Sequence, residues 1–240
     1  MRLHPRLAIG LISLAIVAAT CSNETSAETI PPDATSVLAA AATAMGEVET
    51  VRFGMLHSGA PVYIDPADVV SFKEADGRFV APTSADALLT IGAVGLTVEI
   101  GAVAIDGETC LSNFITGEFE PAPAGYTFDP ATLFDPDLGW RPLLATGLSD
   151  IEWVGAEEVD GRAVYHLRGL ADRERVELIT AGIVQGQDVI LDVWIDQETG
   201  QVVVAEFDAD YRGDATHWRL TFRDYGEEMT VIAPESCNGG

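Results

Sequence analysis

Over most of the chain, hydrophobic and polar residues alternate with the two-residue period of β-strands. The clearest case is segment 96–100, where Leu96, Val98 and Ile100 share one face and Thr97 and Glu99 share the other. Such a strand buries one face and wets the other. Asp-Gly dipeptides, which favour tight hairpins, follow or separate these segments at 76–77, 106–107 and 160–161. The pattern therefore predicts an antiparallel meander.

The segments with strand signals, together with the apolar stretches, predict one sheet of about nine or ten strands. They span 52–57, 69–74, 78–80, 88–105, 109–115, 151–154, 162–167, 189–195, 202–207, 217–222 and 229–232. An alanine-rich segment from Asp33 to Gly46 predicts a helix, and shorter helices are predicted at 131–134, 141–145 and 172–179. Because open sheets of this width usually curl, the predicted fold class is α+β. A curved antiparallel sheet would carry a few helices on its concave face and enclose an apolar cavity.

The N-terminus predicts export. Arg2 and Arg6 precede an apolar stretch at 7–19, which is shorter than the ~20 residues that span a bilayer. Small residues before Cys21 resemble a bacterial lipobox, in which the cysteine is acylated. The predicted division is a signal peptide at 1–20, a lipidated tether at 21–32 and a single domain at 33–240, held outside the cytoplasm on the cell membrane. The alternative is an ordinary signal peptide with a nearby cysteine.

Composition excludes one class of partner and offers no catalytic motif. The 240 residues carry 13 Lys+Arg against 38 Asp+Glu, a formal net charge of -25, so no basic patch is available for nucleic acid. No nucleophile elbow, zinc motif, P-loop or dinucleotide fingerprint is present. His57, His166 and His217 lie far apart in strand-like contexts. We therefore expect no enzyme activity, no metal and no cofactor.

The three cysteines are divided between two predicted roles. With Cys21 assigned to the lipid anchor, Cys110 and Cys237 remain, and exported chains usually pair two such residues. A Cys110–Cys237 disulfide is the favoured prediction. Two free thiols are the alternative.

Four segments of the sequence resemble the LppX/LprAFG family of bacterial lipoproteins, best known from mycobacteria. They are 128–139 (FDPATLFDPDLG), 159–162 (VDGR), 193–196 (VWID) and 218–227 (WRLTFRDYGE). The resemblance covers most of the mature chain and is strongest from Asp106 onward. It implies a half-barrel sheet similar to the LolA/LolB carriers. It also implies an internal cavity for the acyl chains of complex lipids or lipoglycans, which are moved between the membrane and the outer envelope.

The apolar residues predicted to line the cavity fall into three groups. The inward face of a strand is formed by Leu96, Val98 and Ile100. The helical cover is formed by Leu133, Phe134, Leu143 and Leu144. A helix that could gate the mouth carries Val176, Ile179 and Ile183. For any one of these residues a filled core is the alternative. The small residues in 92–104 favour the prediction that the set as a whole lines a cavity, because small side chains leave space inside a curved sheet.

These inferences combine into one functional prediction. The chain is expected to be a monomeric envelope lipoprotein that binds a multi-acyl lipid or lipoglycan and works with the membrane and an envelope lipid exporter. A solidly packed surface interaction or signalling module is the first alternative. A hydrolase on the same scaffold is the second, and the missing nucleophile–base pair disfavours it.

Overall fold

A computed structural model describes residues 32–65, 67–93, 95–122 and 130–237 of the chain. These residues belong to one compact unit, Pro32–Gly240. The predicted signal peptide, Cys21 and the tether as far as residue 31 lie outside the described residues, and the division at 20 and 32 stays a prediction.

Twelve strands and three α-helices make up the regular structure of the described residues. The strands are β1 Thr50–Gly59, β2 Val62–Tyr63, β3 Val70–Val80, β4 Ser84–Ala93, β5 Leu96–Ile105, β6 Glu108–Ser112, β7 Phe119–Pro121, β8 Leu148–Val159, β9 Arg162–Ala171, β10 Val189–Asp196, β11 Val202–Tyr211 and β12 Asp214–Arg223. The helices are α1 Ala34–Gly46, α2 Trp140–Thr146 and α3 Arg173–Ile179, with 3₁₀ turns at Pro130–Phe134 and Glu235–Cys237.

The strands form one antiparallel sheet in the order β7-β6-β5-β4-β3-β1-β12-β11-β10-β9-β8, and β2 pairs with β3. Asp106-Gly107 and Asp160-Gly161 close tight hairpins with positive φ at both residues, as the sequence predicts. The curved antiparallel sheet with few helices confirms the predicted fold class. The helices cover one face of the sheet, called the inner face below, and the opposite face is called the outer face.

The prediction of a hairpin at Asp76-Gly77 was wrong. Residues 70–80 form a single strand, β3, which runs through both residues. Gly77 is required for a different reason, because a Cβ there would collide with the ring of Phe53 on the neighbouring strand. The predicted stretch 88–105 is instead divided into β4 and β5, with Gly95 at positive φ between them. The predicted strand 229–232 is irregular.

An aromatic cluster joins the helices to the inner face of the sheet. Phe134, in the first 3₁₀ turn, lies 4.8 Å from Phe79 and 5.9 Å from Phe53, measured between ring centroids. Trp140, at the start of α2, meets Phe222 of β12 edge-on at 5.1 Å. All five rings are buried within one continuous core. Two short helical segments therefore fix the middle of the sheet to its cover.

The C-terminal tail is fastened to the edge of the sheet formed by β6 and β7. Cys237 lies in the second 3₁₀ turn, which contacts both strands. Its sulfur is bonded to that of Cys110 in β6 at 2.10 Å, across a sequence separation of 127 residues. The structure thus contains the pairing favoured from the sequence.

Removing this crosslink should destabilise the domain strongly. A closed loop of this length restricts the unfolded chain by about 4–5 kcal/mol in the chain-entropy view. We expect the double variant Cys110→Ala/Cys237→Ala to lose a large part of that in urea unfolding. The wild type under reducing conditions serves as control and should match the variant. An unchanged urea midpoint would contradict the expectation.

Phe134 should be among the most sensitive core positions. Phe134→Ala leaves a cavity among Phe53, Phe79 and Phe222, which should lower the free energy of unfolding by about 3–5 kcal/mol. Phe114→Ala is the matched control, because Phe114 is 60% exposed and should change stability little. Similar losses in the two variants, measured by chemical denaturation, would show that the cluster does not anchor the cover.

Candidate functional site

Most of the residues predicted to line a cavity are packed in the core of the described unit. Leu133, Phe134, Leu143, Leu144, Val176 and Ile179 are each 5% exposed or less. Val98 and Ile100 are half-buried against the same core. Leu96, expected on the inward face, is instead 67% exposed, because it begins β5 directly after the Gly95 turn. Apart from Leu96, these side chains thus pack in or against the core.

A cleft of about 470 Å³ opens elsewhere on the inner face, at one end of the sheet. Its walls come from β2, the start of β3, the ends of β11 and β12 that meet at their shared hairpin, and the segment 181–187 after α3. Of the ten predicted cavity residues, only Ile183 lines it. The helices that cover the inner face explain the position of the cleft. Met45 of α1 accepts a hydrogen bond from the Val202 backbone N–H at the start of β11. The cleft lies at the other end of that strand and just beyond it, at Ala209–Arg212.

The floor of the cleft is aromatic and apolar. Trp218, whose side chain is fully buried, is one of its lining residues, with the ring of Phe72 stacked at 5.7 Å and that of Phe207 at 6.2 Å. The indole Nε1 of Trp218 donates to Thr216 Oγ1 at 3.1 Å, and this hydroxyl donates to the Ala209 carbonyl at 2.9 Å. The polar atoms of Trp218 and Thr216 are therefore satisfied within the protein. An apolar ligand could cover this floor without leaving them unpaired.

His57 of β1 packs against Trp218 but is not among the residues that line the cleft. Its ring centroid is 4.9 Å from that of Trp218, its partner in the β1–β12 register. Burial lowers the pKa of His57, and backbone hydrogen bonds at Ala60 and Phe72 oppose this only in part. The imidazole is therefore neutral at pH 7.

The rim of the cleft is polar and ties three chain segments together. Arg212 Nη1 and Nη2 donate to Asp68 Oδ2 and Oδ1 at 2.7 and 2.8 Å, which joins the β11–β12 turn to the β2–β3 connection. The Tyr63 backbone N–H donates to the Tyr211 hydroxyl at 3.1 Å. Gln187 exchanges two 2.8 Å hydrogen bonds with the backbone of Asp210. We call the Arg212–Asp68 pair the rim clasp. An apolar floor beneath a polar rim suits an amphipathic ligand.

The other two histidines of the described unit lie on the outer face, away from the cleft. His166 Nδ1 and Nε2 lie 2.8 and 2.7 Å from Glu157 and Asp192, and His217 Nδ1 lies 2.9 Å from Asp208. Within the described residues, no three His, Cys, Asp or Glu side chains are grouped as metal ligands would be. No helix in that part of the chain has the length and apolarity needed to cross a membrane.

The fold and the cleft define a class: a single-sheet α+β domain with a cleft on its helix-covered face. The chain belongs to the LppX_LprAFG lipoprotein family, whose model matches residues 33–231. This confirms the resemblance found in the sequence.

Relatives and solved structures agree with this assignment. The chain is 26% identical over 166 residues to the lipoarabinomannan carrier protein LprG of Mycobacterium tuberculosis and of Mycobacterium bovis, which covers 69% of each protein. The crystal structure of LprF from Mycobacterium bovis matches 85% of this chain and 98% of its own, with a TM-score of 0.67 and 16% identity. The lipoprotein LppX of Mycobacterium tuberculosis matches 85% and 100%, with a TM-score of 0.61 and 16% identity. The two structures establish the fold.

Breaking the rim clasp should speed entry into the cleft. Arg212 lowers the pKa of Asp68 below its ordinary value of 3.8, so the ion pair is complete above that value and is lost as the pH falls through the lowered one. Asp68→Asn should therefore raise the rate at which the apolar dye N-phenyl-1-naphthylamine binds at pH 7, by about two- to fivefold. The wild type should reach that rate only in strong acid.

The matched control is Asp76→Asn, which breaks an exposed pair on the outer face, Arg223–Asp76, whose residues do not line the cleft. Its dye-binding rate should equal that of the wild type. Equal rates in Asp68→Asn and the wild type at pH 7 would show that the clasp does not limit entry.

Proposed function

We propose that this chain is a cell-envelope lipoprotein that binds multi-acyl lipids or lipoglycans and carries them between the membrane and the outer envelope. The observation that carries the proposal is the cleft, with Phe72, Leu89 and Trp218 on its apolar floor and Arg212 and Asp210 on its polar rim. Membership of the LppX_LprAFG family supports it, as does the name of the relative LprG.

Loading a lipid of this kind requires the cleft to grow. Its volume of about 470 Å³ is typical of a small-molecule site and is small for two or three acyl chains. In this proposal the chains continue from the Trp218 floor beneath the helical cover, and α3 moves aside. Leu143, Leu144, Val176 and Ile179, now packed in the core, would then become the wall around the lipid.

The N-terminal predictions complete the proposal. A lipid-modified Cys21 would hold the domain outside the cytoplasm at the cell membrane, with residues 22–32 as tether. Transfer would be passive, since no nucleotide-binding motif is present in the sequence. An envelope lipid exporter would be the partner, and the carrier would act as a monomer.

One observation favours the alternative of a packed interaction or signalling module. The cover helices fill the inner face tightly, and Trp140, Leu143, Val176 and Ile179 are fully buried. Such a module would keep this packing in all its states and would hold no lipid. The two functions therefore differ in whether the core opens.

Native mass spectrometry of the chain from Ser22 onward, before and after organic extraction, separates the two functions. We expect a bound mass of a two- or three-chain lipid that extraction removes and added lipid restores. An apo mass with no uptake of added lipid would favour the packed module.

A variant that fills the cleft should abolish the uptake. Ala209 lies on the floor and is 7% exposed, so Ala209→Trp places a large ring in the space that the lipid would enter. We expect at least about a tenfold loss of affinity, equivalent to a few lost methylene contacts. Ile190→Trp is the control, because Ile190 is exposed and does not line the cleft. Equal uptake by both variants would place the lipid elsewhere.

A further inference from the structure

Four large apolar side chains are exposed to solvent at the end of the sheet where the cleft lies. Val69 precedes β3, Leu96 begins β5, and Phe114 and Ile115 belong to the β6–β7 loop. Their exposed fractions are 52, 67, 60 and 78%, in that order. We call these four side chains the tip residues. One exposed apolar side chain is ordinary, but several grouped at the end of a sheet indicate an interaction surface.

The strand register brings the tip residues to neighbouring positions. Ala93, the last residue of β4, pairs with Val70 on one side and with Leu96 on the other, so Val69 and Leu96 flank the same turn. β6 runs antiparallel to β5, and the chain beyond it continues alongside the first half of β5. The residue before Val69 is Asp68, whose charge is neutralised in the rim clasp. The surface therefore adjoins the rim of the cleft.

The β6–β7 loop pairs most of its backbone polar groups internally. The Asn113 side chain accepts hydrogen bonds from the N–H groups of Ile115 and Thr116 at 2.9 and 3.3 Å. The Gly117 N–H donates to the Asn113 carbonyl at 2.7 Å, and the Asn113 N–H donates to the Glu118 carbonyl at 2.8 Å. Because these groups need no water as a partner, the apolar tip of the loop can enter a less polar medium at little cost.

The distribution of charge indicates which partner this surface fits. Segments 87–98 and 109–117, which contain three of the four tip residues, have no charged residue in a chain of net charge -25. The hairpin turns at the opposite end of the sheet carry acids, among them Asp106, Asp160 and Glu198. The negative surface of a membrane repels an acidic protein. The tip residues thus form the end that can approach a lipid surface with least repulsion.

We propose that the tip residues insert into the surface of a phospholipid bilayer, so that the cleft lies at the membrane-facing end of the domain. Three separate loops carry these side chains, which project as points and not as one continuous face. A bilayer requires no matching shape, and it binds in proportion to the apolar area buried at its interface. In the proposed function, residues 22–32 already hold the domain near the membrane, so a weak second attachment is enough to orient it.

The test compares two isoleucines of nearly equal exposure at opposite ends of the sheet. Ile115 is 78% exposed and Ile232 is 76% exposed. Ile232 precedes Ala233, which shares a surface depression with Asp106 at the far end. The chain from Ser22 onward is titrated with vesicles of palmitoyl-oleoyl-phosphatidylcholine, and the partition coefficient is measured by flotation.

We expect Ile115→Gln to lower the partition coefficient about fivefold, and Phe114→Gln/Ile115→Gln to lower it by more than about tenfold. Both side chains are exposed in the free domain, so neither change should unfold it, and circular dichroism checks this. Ile232→Gln makes the same chemical change at the other end and should leave the partition coefficient at the wild-type value.

Fluorescence quenching provides an independent readout of position. Tryptophan is introduced as Ile115→Trp or Ile232→Trp, and the vesicles carry brominated acyl chains, which quench indoles that enter the bilayer. The wild type gives the background from its own four tryptophans. We expect added quenching in Ile115→Trp and none in Ile232→Trp.

Equal partition of Ile115→Gln and the wild type would overturn the docking proposal. Binding that requires anionic lipid and disappears in high salt would also overturn it, because cations and not apolar tips would then make the contact. The docking goes beyond the carrier function and does not need bound cargo. Vesicle binding with no lipid uptake would therefore overturn the carrier alone, and uptake without vesicle binding would overturn the docking alone.

Discussion

The structure depends on one constraint: a wide single sheet must bury its inner face, and only short helical segments are available in the described chain to cover it. Phe134 and Trp140 insert into the middle of that face and fix the cover there. α1 covers the side where β11 begins, through Met45 and Val202. The cover therefore thins at the other end of β11. The cleft is the part of the inner face that the short helices do not reach.

The outer face is open to solvent, because no second layer of the described residues packs on it. Cross-strand ion pairs occupy it, including Arg219–Glu206, Arg168–Asp192 and Arg223–Asp76. Such exposed pairs stabilise little individually, and they keep the face hydrated. The net charge of -25 on the whole chain also disfavours stacking of one copy on another.

The two-residue period predicted the sheet and, for segment 96–100, the inward side of the strand, because alternation is a local property. It did not predict how far along each strand the helices extend. Leu96 has the correct parity and is exposed, whereas Trp218 and Phe72 form the floor of a cleft that no local pattern marks. The hairpin prediction at Asp76-Gly77 was wrong for a related reason. Gly77 is required by a close contact with Phe53, which is distant in sequence. The candidate site is a property of where the cover ends, which only the assembled fold shows.

In the proposed function, the filled core does not prevent lipid binding if one helix of the cover can be displaced at a small cost in free energy. α3 has seven residues, and only Val176 and Ile179 among them are buried. Exposing two such side chains costs about 3–6 kcal/mol. Burying a palmitoyl chain taken from water returns on the order of 10 kcal/mol, at ~0.8 kcal/mol per methylene. Under the proposed function, one chain taken up from water would therefore offset the displacement of α3, which leads directly into residues 181–187, a wall of the cleft. In that proposal, α3 is the part of the cover that a lipid would replace.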